Sequence, residues 1–98
     1  MTMRDGRIVQ LERAVILPQE CTYVKLKEPA EIVIDMTATD CIVMWPKLDE
    51  YGRGANLHDA LDDMFTSVST FYEFLLNNEH KLSAGMRQTL YAFQEAME

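Results

Sequence analysis

The sequence predicts an α+β fold in which an antiparallel sheet of three to four strands packs on one long helix and a shorter C-terminal helix. Two observations predict this. Apolar residues alternate with a period of two in the first half of the chain, and they recur every three or four residues in the second half. Strands followed by helices are typical of an antiparallel sheet covered on one face. With 98 residues, 48% of them hydrophobic, we expect one modest core and a single domain spanning residues 1–98.

The first candidate strands lie before residue 30. Residues 7–17 contain two short apolar stretches and stop at Pro18, which cannot donate a ladder hydrogen bond. Residues 21–26 form a second, short candidate that Pro29 terminates. The pattern leaves open whether residues 1–17 pair with the rest of the sheet.

The clearest strands form a predicted hairpin. Ala30–Met36 alternates between apolar and mostly polar positions, residues 37–40 are typical of a turn, and Cys41–Trp45 is apolar throughout. One face of this second strand must meet the helices, so we expect Trp45 in the core. An exposed Ile42 or Met44 on the other face is a candidate for an edge contact that joins two copies of the chain.

A long amphipathic helix is predicted from residue 57 onwards. Asn56 can cap it, and Asp59 lies in its first turn, where a carboxylate is favoured by the exposed amides and the helix dipole. The apolar positions form one stripe of about six turns. The stripe consists of Leu57, Ala60, Leu61, Met64, Phe65, Val68, Phe71, Tyr72, Leu75 and Leu76.

A second, shorter helix follows the break that Asn77-Asn78 predicts. Ser83 can cap it, because a serine hydroxyl accepts a hydrogen bond from an exposed amide of the first turn. Its predicted core stripe contains Met86, Leu90, Phe93 and Met97.

The net charge of -7 is unevenly distributed: residues 1–48 carry -1 and residues 49–98 carry -6. Such a surface repels phosphate backbones, so we expect no direct binding to nucleic acid. It attracts basic proteins instead. Asp62 and Asp63, with Asp59 one turn earlier, form an acidic patch that is either a docking surface or a solvated helix face.

Cys21 and Cys41 are predicted to be buried free thiols in strands, since no second cysteine or histidine lies at metal-binding spacing. The longest apolar runs have only four or five residues, which is too short to span a bilayer. The first residues lack the apolar block of a secretory signal. We therefore expect a cytoplasmic protein that does not enter a membrane.

The sequence favours a non-catalytic protein without cofactor or metal. His58 and His80 occupy polar positions typical of solvated residues, and Gly52-x-Gly54 lacks the other residues of a phosphate-binding loop. A ribonuclease-H-like metal site would draw on the acids flanking the strands, most of which are expected to be solvated. These acids are Asp35, Asp40, Asp49 and Glu50.

The junction between strands and helix resembles the HicB-like antitoxin family over roughly residues 30–76. In that family a hairpin strand is followed by a Pro-x-Leu motif, an aromatic or apolar residue, a glycine, a capping residue, an acidic first helical turn and Ala-Leu. The matching positions are Pro46-x-Leu48, Tyr51, Gly54, Asn56, Asp59 and Ala60-Leu61. Asp49-Glu50 stands where the family has Pro-Gly-Cys.

The resemblance implies a partial ribonuclease-H-like fold and a protein that silences a small basic mRNA-cleaving toxin by covering its active-site face. Many family members add a C-terminal DNA-binding segment. Here one short helix follows the match, so we expect no separate DNA-binding domain. The expected partner-binding residues are Asp49, Glu50, Asp59, Asp62 and Asp63. The alternative is a self-associating structural or adaptor domain of the same fold, forming a homodimer.

Overall fold

The computed structural model describes residues 2–4 and 7–98, with the side chains of residues 11–98. Five antiparallel strands form one sheet in chain order, and two helices follow them. The strands are β1 (Thr2–Arg4), β2 (Arg7–Ile16), β3 (Ala30–Met36), β4 (Cys41–Trp45) and β5 (Glu50–Gly54), and the helices are α1 (Leu57–Asn77) and α2 (Ala84–Ala96). The predicted fold class is confirmed.

The long strand β2 has two different neighbours along its length. Residues 7–9 pair with β1, and residues 10–16 pair with β3. Strands β2 to β5 therefore form a four-stranded layer, and β1 extends it at one end. The strand predicted within residues 7–17 is part of the sheet, whereas β1 raises the number of strands above the predicted three to four.

The predicted hairpin is confirmed with its predicted boundaries. The amide of Thr37 donates to the carbonyl of Asp40 at 2.9 Å, and Met36 pairs with Cys41 directly beyond this turn. Trp45 is 1% exposed and packs edge-on against Phe65 of α1, with the ring centroids 5.9 Å apart. The expectation that Trp45 belongs to the core is therefore also confirmed.

The strand predicted at residues 21–26 is wrong. Residue Ile16 of β2 pairs directly with Ala30 of β3, so residues 17–29 form a loop of turns and bends between them. The apolar side chains of this loop cover the core: Tyr23 stacks on Phe65 at 5.0 Å, and Leu26 is buried and bridges to Met97. The alternation of apolar and polar residues over 21–26 therefore reflects side chains buried by tertiary packing, and not the two faces of a strand.

The two cysteines are free, as predicted, but only one of them lies in a strand. Cys41 is buried in β4, where burial and the negative charges of Asp40 and Asp35 raise the pKa of its thiol. Cys21 is half-buried in the loop after β2.

Strand β5 was not predicted as a strand, because two of its five residues are glycines. The glycines are needed where α1 crosses the strand. A Cβ atom on Gly52 would lie 2.3 Å from the backbone nitrogen of Met64, and one on Gly54 would lie 2.6 Å from that of Ala60. Close approach of the two backbones therefore requires glycine at both positions.

Helix α1 has the predicted start, and its apolar stripe is confirmed except at its last position. The side chain of Asn56 accepts a hydrogen bond from the amide of Asp59 at 2.9 Å. Nine of the ten predicted stripe residues are buried or half-buried, but Leu76 is 43% exposed. Successive helix positions differ by 100°, so burial of Leu75 turns its neighbour away from the core.

Helix α2 closes the far side of the core as predicted. The hydroxyl of Ser83 accepts a hydrogen bond from the amide of Met86 at 3.3 Å, and Leu90, Phe93 and Met97 are buried. The ring of Phe93 packs edge-on against Phe71 of α1, with centroids 5.6 Å apart. In the described part of the chain, no helix is both long and apolar enough to cross a membrane.

Candidate interaction surface

The first two turns of α1 expose three carboxylates, which we call the acidic surface: Asp59, Asp62 and Asp63. Helix α1 contains neither Lys nor Arg. Its solvent-facing side at this end is therefore negative, and among residues 11–98 the one basic side chain in contact with it is His58, whose Nδ1 lies 3.5 Å from Asp59 Oδ1. The three acids that the sequence predicts as a patch are brought together as expected, because residues three and four apart lie on the same side of a helix.

Two members of the acidic surface have local structural roles. Asp63 Oδ2 accepts the backbone amide of Arg53 in β5 at 3.0 Å, and Asp59 exchanges hydrogen bonds with Asn56. The amide of Arg53 points away from β4, so Asp63 satisfies a donor at the open edge of the sheet. Among residues 11–98, we find no hydrogen bond or ion pair that involves the side chain of Asp62. Asp62 is the member that remains available for a partner.

The side chain of Arg53, whose backbone amide binds Asp63, is already paired with another acid. Arg53 Nε donates to Asp40 Oδ2 at 2.8 Å, so the side chain of Arg53 joins β5 to the start of β4. This pairing leaves the charge of the acidic surface uncompensated by Arg53.

The remaining two predicted acids, Asp49 and Glu50, lie at the opposite end of β5. Strand β5 advances roughly 13 Å over its five residues, so the predicted acids form two groups and not one continuous patch. Asp49 is exposed and has a positive φ of 53°, while Glu50 is half-buried on the face of the sheet that carries the helices. Burial, followed by the negative charge of Asp49, raises the pKa of Glu50.

Glu50 opens into a shallow groove between β5 and the middle of α1, which we call the Glu50 groove. Its lining consists of Glu50, Thr66, Ser67, Thr70, Phe71 and Phe74. Phe74 is 50% exposed and stacks on Phe71 with a centroid distance of 6.2 Å and an interplanar angle of 11°. The sequence analysis did not identify Phe74. The sequence feature that could have identified Phe74 is its spacing of three residues from Phe71, which places two aromatic rings side by side on a helix.

The face of the sheet opposite the helices, which we call the outer face, is partly apolar. Directly paired residues point to the same face, so the register places Leu11, Ile42 and Arg53 in one row and Arg13, Met44 and Tyr51 in the next. Ile42 and Met44 are half-buried. Strand β4 lies between β3 and β5, so these two residues are in the middle of the outer face and not at an edge of the sheet.

The groups considered for catalysis are dispersed. His58 and His80 are both exposed, and Asp40 is engaged with Arg53. Asp35 is buried on the outer face of β3, away from Asp49 and Glu50 at the far end of β5. Within residues 11–98, no group of three or more His, Cys, Asp or Glu side chains is arranged to hold a metal ion.

Comparison with known proteins gives no relative: no protein-family model, no curated protein and no solved structure matches this chain.

Proposed function

We propose that this protein is a non-catalytic binding module, similar to HicB-like antitoxins, whose partner is a small basic mRNA-cleaving toxin. The observation that supports this most directly is the acidic surface on a helix without Lys or Arg. The segment that carries the resemblance, residues 30–76, corresponds to the continuous unit β3–β4–β5–α1. A basic partner would meet the negative end of α1 beside the edge of β5.

The charge distribution favours recognition by electrostatic attraction. Residues 49–98, which include β5 and both helices, carry a net charge of -6. Such a field accelerates the encounter with a basic protein and weakens as salt screens it. We therefore expect the association rate to fall with rising salt concentration more strongly than the dissociation rate changes.

Replacing Asp62 with Lys tests this proposal. Asp62 is exposed and makes no contact that the fold needs, whereas Asp63 holds the amide of Arg53 and is best left unchanged. We expect D62K to weaken binding of a basic protein encoded by the adjacent reading frame by about tenfold at low salt, mostly through slower association. Surface plasmon resonance at several salt concentrations measures both rates.

Glu79→Lys is the matched control, because it makes the same charge change on another exposed residue. Glu79 follows α1 and lies roughly 25 Å along the helix from Asp62, which is more than twice the screening length at physiological salt. We expect E79K to bind as the wild type does. Binding that ignores salt and is equally strong in D62K and the wild type contradicts the proposal.

Self-association is the second candidate function, and a different observation favours it. Over residues 10–16, β2 is hydrogen-bonded to β3 on one side; among the residues that the structure describes, β1 pairs with residues 7–9, and no strand pairs with the other side of residues 10–16. The exposed apolar residues Leu11 and Val15 lie along this open edge, at 46% and 53% exposure. An open strand edge with apolar side chains is a template for pairing with a second copy.

A further inference from the structure

The Glu50 groove combines a carboxylate with an aromatic wall, a pairing of features that the acidic surface lacks. Glu50 is half-buried at the start of β5, and the exposed ring of Phe74 lies across the groove on α1. The hydroxyls of Thr66, Ser67 and Thr70 line the same space. The groove therefore offers a negative charge, ring surface and hydrogen-bond acceptors within one depression.

The aromatic wall is held in place by the core. Phe71 packs edge-on against the buried ring of Phe93, and Phe74 stacks nearly parallel on Phe71. Because Phe71 is fixed on one side, the ring that stacks on its other side loses little freedom when a ligand contacts it. A preorganised aromatic surface lowers the entropic cost of binding.

The carboxylate lacks a cation within the described part of the chain. No Lys or Arg among residues 11–98 forms an ion pair with Glu50, and its nearest charged neighbour in sequence is Asp49. Both the burial of Glu50 and the charge of Asp49 disfavour its ionised form. A positive charge entering the groove would favour the ionised form and so offset both effects.

We propose that the Glu50 groove binds an arginine side chain of a basic protein partner, with Glu50 as the counter-ion and Phe71 and Phe74 as the stacking surface. The planar guanidinium suits this combination, since it stacks on aromatic rings while donating to carboxylate and hydroxyl oxygens. This inference rests on the proposed function and specifies one contact of it. The helix side of the groove begins one turn after Asp62, but its carboxylate, Glu50, lies at the opposite end of β5 from the contact of Asp63 with Arg53, so substitutions at Glu50 and at Asp62 test two separate charges.

The direct test uses the full chain and the peptide acetyl-Gly-Arg-Gly-amide as the probe. The same peptide with citrulline in place of arginine is the matched control, because citrulline has the same shape without the charge. We expect the arginine peptide to shift the NMR signals of Phe71, Phe74 and the Glu50 carboxyl carbon, and to lower the pKa of Glu50. We expect the citrulline peptide to leave these signals nearly unchanged.

Two variants assign the interaction to the groove. Glu50→Gln removes the charge while keeping the size of the side chain, and Phe74→Leu removes an exposed ring. We expect each variant to weaken binding of the arginine peptide by about threefold, as is typical of one exposed ion pair or one exposed cation–π contact. Asp62→Asn, which removes a carboxylate of the acidic surface, should bind the peptide as the wild type does.

The inference is overturned if the arginine and citrulline peptides shift the same signals equally, or if E50Q binds the arginine peptide unchanged. Either result leaves the D62K experiment and the proposed function standing. The opposite combination is also informative. If the arginine peptide binds as expected but D62K binds the basic partner as tightly as the wild type does, the acidic surface is rejected as the docking site and the groove is retained.

Discussion

At the scale of single residues, the surroundings of Glu50 make its ionisation unfavourable for folding. It is the first residue of β5, half-buried on the face that carries the helices, and preceded by Asp49. Its raised pKa means that the folded state binds a proton at this site more tightly than the unfolded chain does. The ionised carboxylate therefore opposes folding at neutral pH.

The direction of this pKa shift gives a pH-dependent prediction for Glu50→Gln. Below the pKa of the unfolded chain, near the ordinary glutamate value of 4.5, Glu50 is protonated in both states and does not oppose folding. As the pH rises from this value through the raised pKa of the folded state, the stability that the protonated form contributes is lost. Glutamine resembles the protonated form at every pH. We therefore expect E50Q to have a larger free energy of unfolding than the wild type at pH 7, with the difference shrinking towards pH 4.

Urea unfolding of both proteins between pH 4 and pH 7 measures this difference. Glu73→Gln is the control, since it removes an exposed carboxylate from α1, and we expect it to change stability little. An E50Q variant that is less stable than the wild type at pH 7, or a difference that stays constant with pH, contradicts the prediction. A stable E50Q also ensures that weaker peptide binding by this variant is not caused by unfolding.

Residue-level roles were predictable from the sequence only where they depend on neighbours in the chain. Asn56 and Ser83 were recognised as caps because a cap and the amide it accepts lie within three residues. The role of Asp63 was not predicted, since its partner is an amide of β5 that comes near only after α1 folds back across the sheet. The acidic patch of Asp59, Asp62 and Asp63 was predictable because its members are neighbours on one helix, whereas the distance of Asp49 and Glu50 from this patch depends on how β5 crosses α1.

At the scale of elements, β3, β4, α1 and α2 were predicted because their patterns are local. The alternation of apolar residues and the capping residues both depend on positions within a single segment, and the packing of the core agrees with these local preferences. Strand β5 and the loop at residues 17–29 were misread because tertiary contacts override their local preferences. Gly52 disfavours a strand in isolation but is required where the strand meets the backbone of α1.

The close contact between β5 and α1 predicts a strong effect of adding one methyl group. In Gly52→Ala the new Cβ would lie 2.3 Å from the Met64 nitrogen and 2.4 Å from the Ala60 carbonyl oxygen, so backbone atoms would have to move. We expect G52A to lose about 3 kcal/mol of stability, at the upper end of typical overpacking effects. Chemical denaturation followed by circular dichroism measures the loss.

Gly85→Ala is the matched control for this substitution. Gly85 lies in the first turn of α2, and a Cβ built on it meets no atom within 4 Å. Because alanine favours helix and restricts the unfolded chain, we expect G85A to gain about 0.5 kcal/mol. If G52A proves as stable as the wild type, the strand and helix are not packed backbone to backbone as described.

At the scale of the whole molecule, the two layers present surfaces of different chemistry. The helical layer carries the acidic surface and the Glu50 groove, both of which suit a basic partner. The outer face of the sheet carries half-exposed apolar residues and an open strand edge, which suit a second copy of the chain. Because the surfaces lie on opposite layers, one molecule can in principle use both at the same time.

The open edge of β2 leads to a prediction about oligomeric state. If two copies pair through this edge, Val15, at 53% exposure, lies at the seam and loses part of its exposure to the second copy, and a charge placed there would be partly desolvated. We therefore expect V15E to sediment as a monomer at concentrations where the wild type forms a dimer. The control L76E exchanges a residue of 43% exposure on the helical layer and should remain dimeric. Analytical ultracentrifugation over a concentration series distinguishes these outcomes. The prediction is contradicted if the wild type stays monomeric at every concentration, or if L76E dissociates as fully as V15E.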